Sequence, residues 1–158
     1  MRLNIIGLIA AIFAFFTMFL PWYSISGFIT IYGGSLLDLV SGRTSLPGSG
    51  TTQPWFIWVT FILIIVGGLL GVVGSFSIGK NGRILLLFGG LLVDLSGIIF
   101  VVGRLSSKTY IAGAFGDICA ILAGGLMNIS TRKHPMEDEK GENEEVPSAP
   151  IIPPPTSQ

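Results

Sequence analysis

Residues 84–103, ILLLFGGLLVDLSGIIFVVG, are the stretch on which the fold of this chain depends. A helix of this length rises about 30 Å, the thickness of a bilayer hydrocarbon core, so the stretch is predicted to span a membrane. Asp94 lies halfway along it and is its only ionisable side chain. Gly90, Asp94 and Gly97 are spaced four and three residues apart and therefore share one helix face. The pattern predicts a membrane helix with a narrow polar face.

The composition extends this interpretation to the rest of the chain. Of the 158 residues, 50% are hydrophobic and only 11% are charged, whereas soluble domains carry about 25% charged residues. The 22 glycines are scattered through apolar runs rather than collected in a linker. That distribution is typical of membrane helices whose backbones approach closely. We therefore expect a polytopic membrane protein.

Four apolar runs predict an all-α membrane fold, a four-helix transmembrane bundle, in a domain that covers residues 1–130. The spans are expected at about 3–20, 55–76, 84–103 and 110–129. Each run is long enough to cross a bilayer as a helix. For the first run, the alternative is a signal peptide cleaved near Ser24-Ile25-Ser26. Its apolar region is, however, longer than the roughly 7–15 residues typical of signal peptides.

The loop between the first two spans, residues 22–54, is predicted to contain short β-structure and a short helix. Residues 23–32, YSISGFITIY, are rich in β-branched and aromatic residues, which favour strands. Ser35 is a candidate N-cap, and Gly42 a candidate stop, for an amphipathic helix. This helix is expected to lie on the membrane surface or to cap the bundle.

Basic residues near the span ends predict the orientation in the cell membrane. One side carries Arg2, Lys80, Arg83, Arg132 and Lys133, and the other carries Arg43, Arg104 and Lys108. The cytoplasmic side of a membrane protein has the excess of Lys and Arg. Both termini are therefore expected in the cytoplasm and the 22–54 loop outside the cell.

The spacing of small residues predicts close contacts between helices. Gly67-x-x-x-Gly71 is a small-x-x-x-small pattern, and the fourth span repeats the arrangement of the third around Asp117. Such patterns let helix backbones approach each other in lipid. The glycines expected to pack helices together are Gly67, Gly71, Gly74, Gly90, Gly97, Gly113 and Gly124.

Asp94 and Asp117 are the chief functional candidates, because a charged aspartate inside a bilayer costs at least about 2.5 kcal/mol. No Lys, Arg or His lies within a predicted span to pair with either. We therefore expect both carboxyl groups to be protonated or to face water or an ion. Counting residues from the span ends separates them by only about 5 Å along the membrane normal. Thr17 and Thr60 fall near the depth of Asp117, which predicts a polar layer across three helices.

These carboxyl groups admit two interpretations. In the first, they are neutral hydrogen-bonding groups that hold helices together, and the partner of Asp94 is on the fourth helix or is reached through water. In the second, they form a proton or cation relay. The first is favoured, because relays have further ionisable residues leading to both surfaces and the spans contain none.

The remaining reactive side chains predict no catalytic, cofactor-binding or metal site. Cys119 is the only cysteine and His134 the only histidine, whereas zinc and haem sites need several ligands. The Gly-Gly pairs lie within apolar helices and do not follow a strand, so they are not phosphate-binding loops. We therefore expect a non-enzymatic protein that needs no cofactor.

Residues 131–158 are predicted to form a disordered, acidic, Pro-rich cytoplasmic tail. Residues 137–158 carry a net charge of −5, and residues 1–136 carry +5. Pro147, Pro150 and Pro153 would share one face of a polyproline II helix, which makes them a candidate motif for a cytoplasmic protein partner. No block is basic enough to predict nucleic-acid binding.

Two segments carry a resemblance to known proteins. At FLPWYSISGF, residues 19–28, followed by GSLLDLVSG, residues 34–42, the chain resembles small uncharacterised four-span membrane proteins of prokaryotes, archaea included. Its layout is also similar to that of the claudin-like tetraspans, which have four spans, both termini inside and a first outer loop with strands and a helix. The loop lacks their Gly-Leu-Trp motif and both cysteines, so a barrier or adhesion function does not carry over.

Together these features predict a structural or accessory membrane protein. Its partners would be the lipid bilayer and either a second copy, as a homo-oligomer, or a larger membrane complex. The first alternative is a small proton- or cation-conducting protein that uses Asp94 and Asp117. The second and weaker alternative is an adaptor that recruits a cytoplasmic protein through its tail.

Overall fold

The computed structural model describes residues 3–26, 31–44, 54–77, 79–106, 112–113 and 115–133 of the chain. The helices are α1 (Ile5–Phe16), α2 (Leu36–Val40), α3 (Trp55–Phe76), α4 (Lys80–Ser106) and α5 (Phe115–Ser130). The strands are β1 (Pro21–Ser26), β2 (Ile31–Ser35) and β3 (Ala112–Gly113). Short 3₁₀ turns, Thr17–Phe19 and Thr131–Lys133, continue α1 and α5. The predicted tail motif and His134 lie outside the described residues.

The four long helices pack side by side, with α1 and α4 each in contact with both α3 and α5. Small side chains bring them close: Ala10, Ala11 and Ala14 of α1 are at most 2% exposed. A Cβ added to Gly71 of α3 would lie 2.9 Å from the Cβ of Ala11. The helix α1 therefore contributes its small-residue face to the core.

Two helices, α3 and α4, are long and apolar enough to cross a membrane by length and composition. The bounds of α3 coincide with those predicted from the sequence, whereas α4 extends beyond residues 84–103 at both ends. The apolar helices Ile5–Phe19 and Phe115–Ser130 are shorter. The chain is therefore mostly helical, with two helices of membrane length.

At the end of the bundle where the strands lie, the helices predicted at 3–20 and 110–129 extend beyond the helices that the structure has. Pro21 follows α1 closely, and the residue before a proline is biased away from helical geometry. Where the fourth helix was expected to begin, β3 forms instead and pairs with β1, so that Tyr23 lies opposite Gly113. Gly113 is thus a sheet residue, and its predicted role in helix packing is wrong. The strands satisfy each other's backbone groups where the helices end.

The three strands form one sheet in the order β2-β1-β3, and α2 follows β2 directly. Ser35 caps α2: its Oγ accepts a hydrogen bond from the Asp38 N–H at 3.1 Å and donates one to Asp38 Oδ2 at 2.7 Å. Gly42 ends the segment at a φ of 71°, which glycine adopts without strain. Leu36 and Leu39 are fully buried, and α2 contacts α3. Of the two predicted positions, α2 therefore takes the one that caps the bundle.

Asn4 ties three helix ends together at the other end of the bundle. Its Oδ1 accepts from the N–H of Gly7 at 3.0 Å, which caps α1. Its backbone N–H donates to Ser75 O at 3.2 Å, and its Nδ2 donates to Ser130 O at 3.1 Å. We call this end, where α4 begins and α5 finishes, the basic end, and the opposite one the sheet end.

Candidate functional site

The antiparallel helices α4 and α5 meet at two glycines. A Cβ added to Gly124 would lie 2.6 Å from the carbonyl oxygen of Gly90, and one added to Gly90 would lie 2.8 Å from the carbonyl oxygen of Gly124. Neither distance leaves room for a side chain. The two backbones are therefore in direct contact, as the small-residue pattern of α4 predicted.

One helical turn beyond each glycine, a polar side chain reaches across the interface. Asn128 Nδ2 donates a hydrogen bond to Asp94 Oδ2 at 3.0 Å. Asp94 Oδ1 lies against Gly124, and Asn128 Oδ1 lies 2.5 Å from the Cβ position of Gly90. Each helix thus places its polar group over the glycine of the other. We call the four residues Gly90, Asp94, Gly124 and Asn128 the seam clasp.

The seam clasp holds more hydrogen-bonding capacity than it uses. Asp94 Oδ1 and Asn128 Oδ1 are both buried and lack a hydrogen-bond partner within the described residues. The backbone N–H of Gly125 also interacts, as a hydrogen-bond donor, with the Asp94 carboxyl group. The hydrogen-bond partner of Asp94 is therefore on the fourth long helix, and Asp94 is the acceptor in the bond that the structure shows.

The Asp94–Asn128 pair lies at the rim of the interface and not in its centre. Both side chains are half-buried. Gly125, next to the clasp on α5, has no atom within 4 Å of an added Cβ. On α4, Leu91 and Ile98 flank Asp94 and are 49% and 50% exposed. A polar pair therefore reaches the outer, otherwise apolar, surface of the bundle.

Asp117 has a different partner, which the sequence interpretation missed. Its Oδ2 lies 3.9 Å from Arg104 Nη1, and the side chains are 3% and 10% exposed. Asp117 also accepts from the Ile118 N–H at 2.9 Å through Oδ1. The expectation that no basic residue could reach Asp117 is wrong, because α4 runs on to Ser106 and α5 starts only at Phe115. Arg104 then lies in the last turn of α4 and Asp117 in the first turn of α5, where each charge complements the helix dipole.

Aromatic side chains line the sheet end near this ion pair. Trp22 packs edge-on against Phe100 with ring centroids 5.0 Å apart, and Phe56 packs on Phe100 at 5.7 Å. Trp22 Nε1 donates to the carbonyl oxygen of Thr17 at 2.6 Å, an oxygen that also accepts from the Leu20 N–H at 3.2 Å. Gly116, the neighbour of Asp117, lies under the Trp22 ring, since an added Cβ would be 2.5 Å from Trp22 Cδ1.

The predicted polar layer of Thr17, Thr60 and Asp117 is wrong. Thr17 Oγ1 donates to Ala14 O at 2.6 Å within its own helix. Thr60 Oγ1 donates to Ser96 O at 3.3 Å, from α3 to α4. Both threonines are fully buried, but each of the three groups bonds to a different partner. Asp94 and Asp117 likewise have separate partners, each on the facing helix.

The predicted packing glycines other than Gly113 do lie at close helix contacts. A Cβ added to Gly67 would be 2.7 Å from Gly89 O, and one added to Gly74 would be 2.7 Å from Leu86 N. Gly97 faces Ile121, at 2.7 Å from Cγ1, and the carbonyl of Asp117, at 3.1 Å. Gly71 faces Met127. Gly89 was not predicted, although a Cβ there would lie 2.6 Å from Gly67 O.

One signal in the sequence could have identified Asn128. Gly124 and Asn128 repeat the four-residue spacing of Gly90 and Asp94 on the neighbouring helix. Arg104 had no comparable signal, since its contact depends on where two helices end.

The described part of the chain contains no group of three or more His, Cys, Asp or Glu side chains that could hold a metal ion. Cys119 is buried. The arrangement described above holds α4 and α5 together through touching glycines and two polar pairs. Comparison with protein families, with curated proteins and with solved structures gives no match for this chain.

Proposed function

We propose that this chain is an integral membrane protein of the cell membrane whose four long helices all span the bilayer. It acts as a non-enzymatic structural or accessory protein that associates laterally with a second copy or with a larger membrane complex. Both termini lie on the cytoplasmic side, and the sheet end faces outward. The resemblance to small prokaryotic four-span proteins agrees with this topology.

The distribution of apolar side chains supports the membrane location. Large apolar side chains more than half exposed occur on every long helix, among them Ile5 and Phe16 on α1, Trp55 and Leu69 on α3, Phe88 and Val102 on α4, and Phe115 and Ile129 on α5. Soluble monomers rarely expose apolar patches larger than a few hundred Å² (roughly 300–600). The interior holds many Gly, Ala, Ser and Thr residues beside a smaller set of large apolar side chains such as Ile64 and Phe100. Such a surface is suited to lipid.

The two ends of the bundle support the orientation. Trp55, Phe19 and Phe115 are 65–70% exposed and lie at the sheet end, and aromatic residues favour the membrane–water interface. At the opposite end Lys80, Arg83 and Arg132 are exposed. An excess of basic residues favours the cytoplasmic side.

The observation that carries lateral association is the half-buried Asp94–Asn128 pair at the apolar outer surface. Polar side chains within a membrane almost always face protein or water. The open position at Gly125 beside the pair would let a second helix approach closely. A partner on this face would cover the polar pair.

The test is the oligomeric state in lipid. We expect fluorescence energy transfer between labelled copies in phosphatidylcholine vesicles, or copurification of a defined membrane complex in mild detergent. Gly125→Leu should reduce either signal at least severalfold, because it places a large side chain at a position where an added Cβ meets no atom within 4 Å. Val73→Leu, at a 51% exposed position on α3, is the control and should change nothing. A chain that stays monomeric and isolated, or that fails to enter the membrane, would overturn the proposal.

The unpartnered oxygens of Asp94 and Asn128 favour one second candidate, a small proton- or cation-conducting protein. Proton and sodium flux into proteoliposomes tests it directly. Flux that is present in the natural chain and lost in Asp94→Asn, with assembly unchanged, would establish conduction. Absence of flux in a reconstituted, folded chain would exclude it.

A further inference from the structure

Three basic side chains gather at the basic end of the bundle. Lys80 and Arg83 lie three residues apart in the first turn of α4, and Arg132 lies in the 3₁₀ turn that follows α5. All three are exposed. Residues three apart on a helix are neighbours on its surface, so Lys80 and Arg83 share one face.

The pairing of α4 with α5 brings Arg132 to the same level. Gly97 faces the carbonyl of Asp117, and Gly90 faces the carbonyl of Gly124. A step of seven residues toward the start of α4 therefore corresponds to a step of seven residues toward the end of α5. One further step of this pairing places residue 131 opposite Arg83. Arg132 then lies within about one helical turn, ~5 Å, of the level of Arg83. The 3₁₀ turn is indeed in contact with α4.

This cluster has no acidic counterpart in the described part of the chain. The acidic residues there are Asp38, Asp94 and Asp117, which lie in α2, in the seam clasp and in the ion pair with Arg104. Like charges at this spacing repel each other, so an anion from outside the described residues would stabilise them.

Directly beside the cluster the bundle surface is apolar. Ile84 and Phe88 on α4 and Ile129 on α5 are 43%, 56% and 61% exposed. They follow the basic residues toward the middle of the bundle. A ligand that fits both surfaces has an anionic head and a hydrocarbon tail.

We propose that Lys80, Arg83 and Arg132 bind the phosphate headgroup of an anionic phospholipid, whose acyl chain lies along Ile84, Phe88 and Ile129. This inference rests on the proposed membrane location but not on lateral association. It adds a lipid class to the partners of the protein. The acidic segment at 137–145 of the same chain is the competing occupant, and the experiment separates the two.

The experiment measures lipid binding to the full chain in nonionic detergent by native mass spectrometry. The probes are dioleoyl phosphatidylglycerol and dioleoyl phosphatidylcholine at equal concentrations. The test variant is Lys80→Gln/Arg83→Gln/Arg132→Gln. Arg43→Gln, which changes an exposed basic residue elsewhere, is the control.

We expect the natural chain and the control to prefer phosphatidylglycerol, with a preference that salt weakens. The loss should be about fivefold per basic residue, or on the order of 100-fold for the triple variant. Binding of phosphatidylcholine should not change. Glycerol phosphate, which has the headgroup chemistry without the acyl chains, should not displace the lipid.

Three outcomes would overturn the proposal. The triple variant could keep its preference for the anionic lipid, or the control could lose it equally. The preference could also appear only after truncation following Met136, which would show that the acidic segment occupies the cluster. Failure of the chain to enter membranes would count against the proposed function, whereas loss of the lipid preference in an inserted chain counts against this inference alone.

Discussion

The α4–α5 interface contains two polar pairs that are compensated in different ways. In the seam clasp, Asp94 accepts a hydrogen bond at 3.0 Å from a neutral amide, and both side chains are half-buried. At the sheet end, Asp117 lies 3.9 Å from a guanidinium group, with both side chains at least nine-tenths buried. The first pair sits over touching backbones and the second near packed aromatic rings.

The difference shows how position along one interface decides the partner of an aspartate. In the middle of two apolar helices, a basic partner would add a second costly charge, and an amide suffices for a neutral acid. At the helix ends, the dipoles of both helices favour a positive charge on α4 and a negative one on α5. The same residue type therefore pairs with an amide in one place and with a guanidinium group in the other.

Breaking the Arg104–Asp117 ion pair should cause the largest loss of stability. Asp117→Leu removes the carboxylate beside the buried guanidinium group of Arg104, so we expect a loss of about 3–5 kcal/mol in the free energy of unfolding. Arg104→Leu/Asp117→Leu removes both charges and should recover most of that loss. Denaturant unfolding in detergent measures both variants. Equal losses in the single and the double variant would show that the pair contributes only packing.

The glycine contact of the seam clasp should come next. Gly124→Ala places a Cβ against backbone, 2.6 Å from Gly90 O, and the helices cannot both keep their positions. We expect it to cost about 1–3 kcal/mol. Gly125→Ala is the matched control, because it meets no atom within 4 Å. It should be neutral or stabilising by up to about 1 kcal/mol through helix propensity. Similar losses at the two positions would contradict the direct backbone contact.

The hydrogen bond of the seam clasp should contribute less than the glycine contact. Asp94→Leu should lose about 0.6–1.7 kcal/mol, the range measured for hydrogen bonds between membrane helices. Asp94→Asn keeps a neutral group of the same shape that can bond to Asn128, so it should remain close to the natural stability. Thermal unfolding in detergent compares the two variants. A loss in Asp94→Asn as large as in Asp94→Leu would mean that the clasp needs the carboxyl group itself.

The two threonines should give the smallest effects. Thr60→Val removes a long hydrogen bond to Ser96 O, and we expect the free energy of unfolding to fall by about 0.6 kcal/mol. Thr17→Val removes only a bond within its own helix. Because the two have different partners, their effects should add within about 0.5 kcal/mol in the double variant. A larger coupling would restore the polar layer that the sequence predicted.

Much of the helical arrangement follows from local sequence. The run from Trp55 to Phe76 contains no charged residue and is preceded by Pro54, so the bounds of α3 could be predicted. The serine cap and the glycine stop of α2 are likewise local signals, and α2 forms between them. The spacing of Gly90 and Asp94 marked one face of α4, and this face is the one that meets α5.

The partners of the polar groups were decided only by tertiary structure. Asp94 and Asn128 are 34 residues apart, and their contact depends on how two helices are rotated and shifted against each other. The same holds for Arg104 and Asp117, which meet because α4 is longer and α5 shorter than apolar length alone suggested. β3 takes residues from the predicted fourth helix because β1 lies beside it and offers backbone partners.

The sequence alone thus determined which stretches are apolar, which face of each is small, and where an aspartate interrupts it. Those properties belong to single helices, and residue spacing and composition are sufficient to predict them. The tertiary structure decided that Asp94 has an amide partner and Asp117 a guanidinium partner. Side-chain pairing across an interface depends on the contact of backbones, and in this protein that contact is set by Gly90 and Gly124.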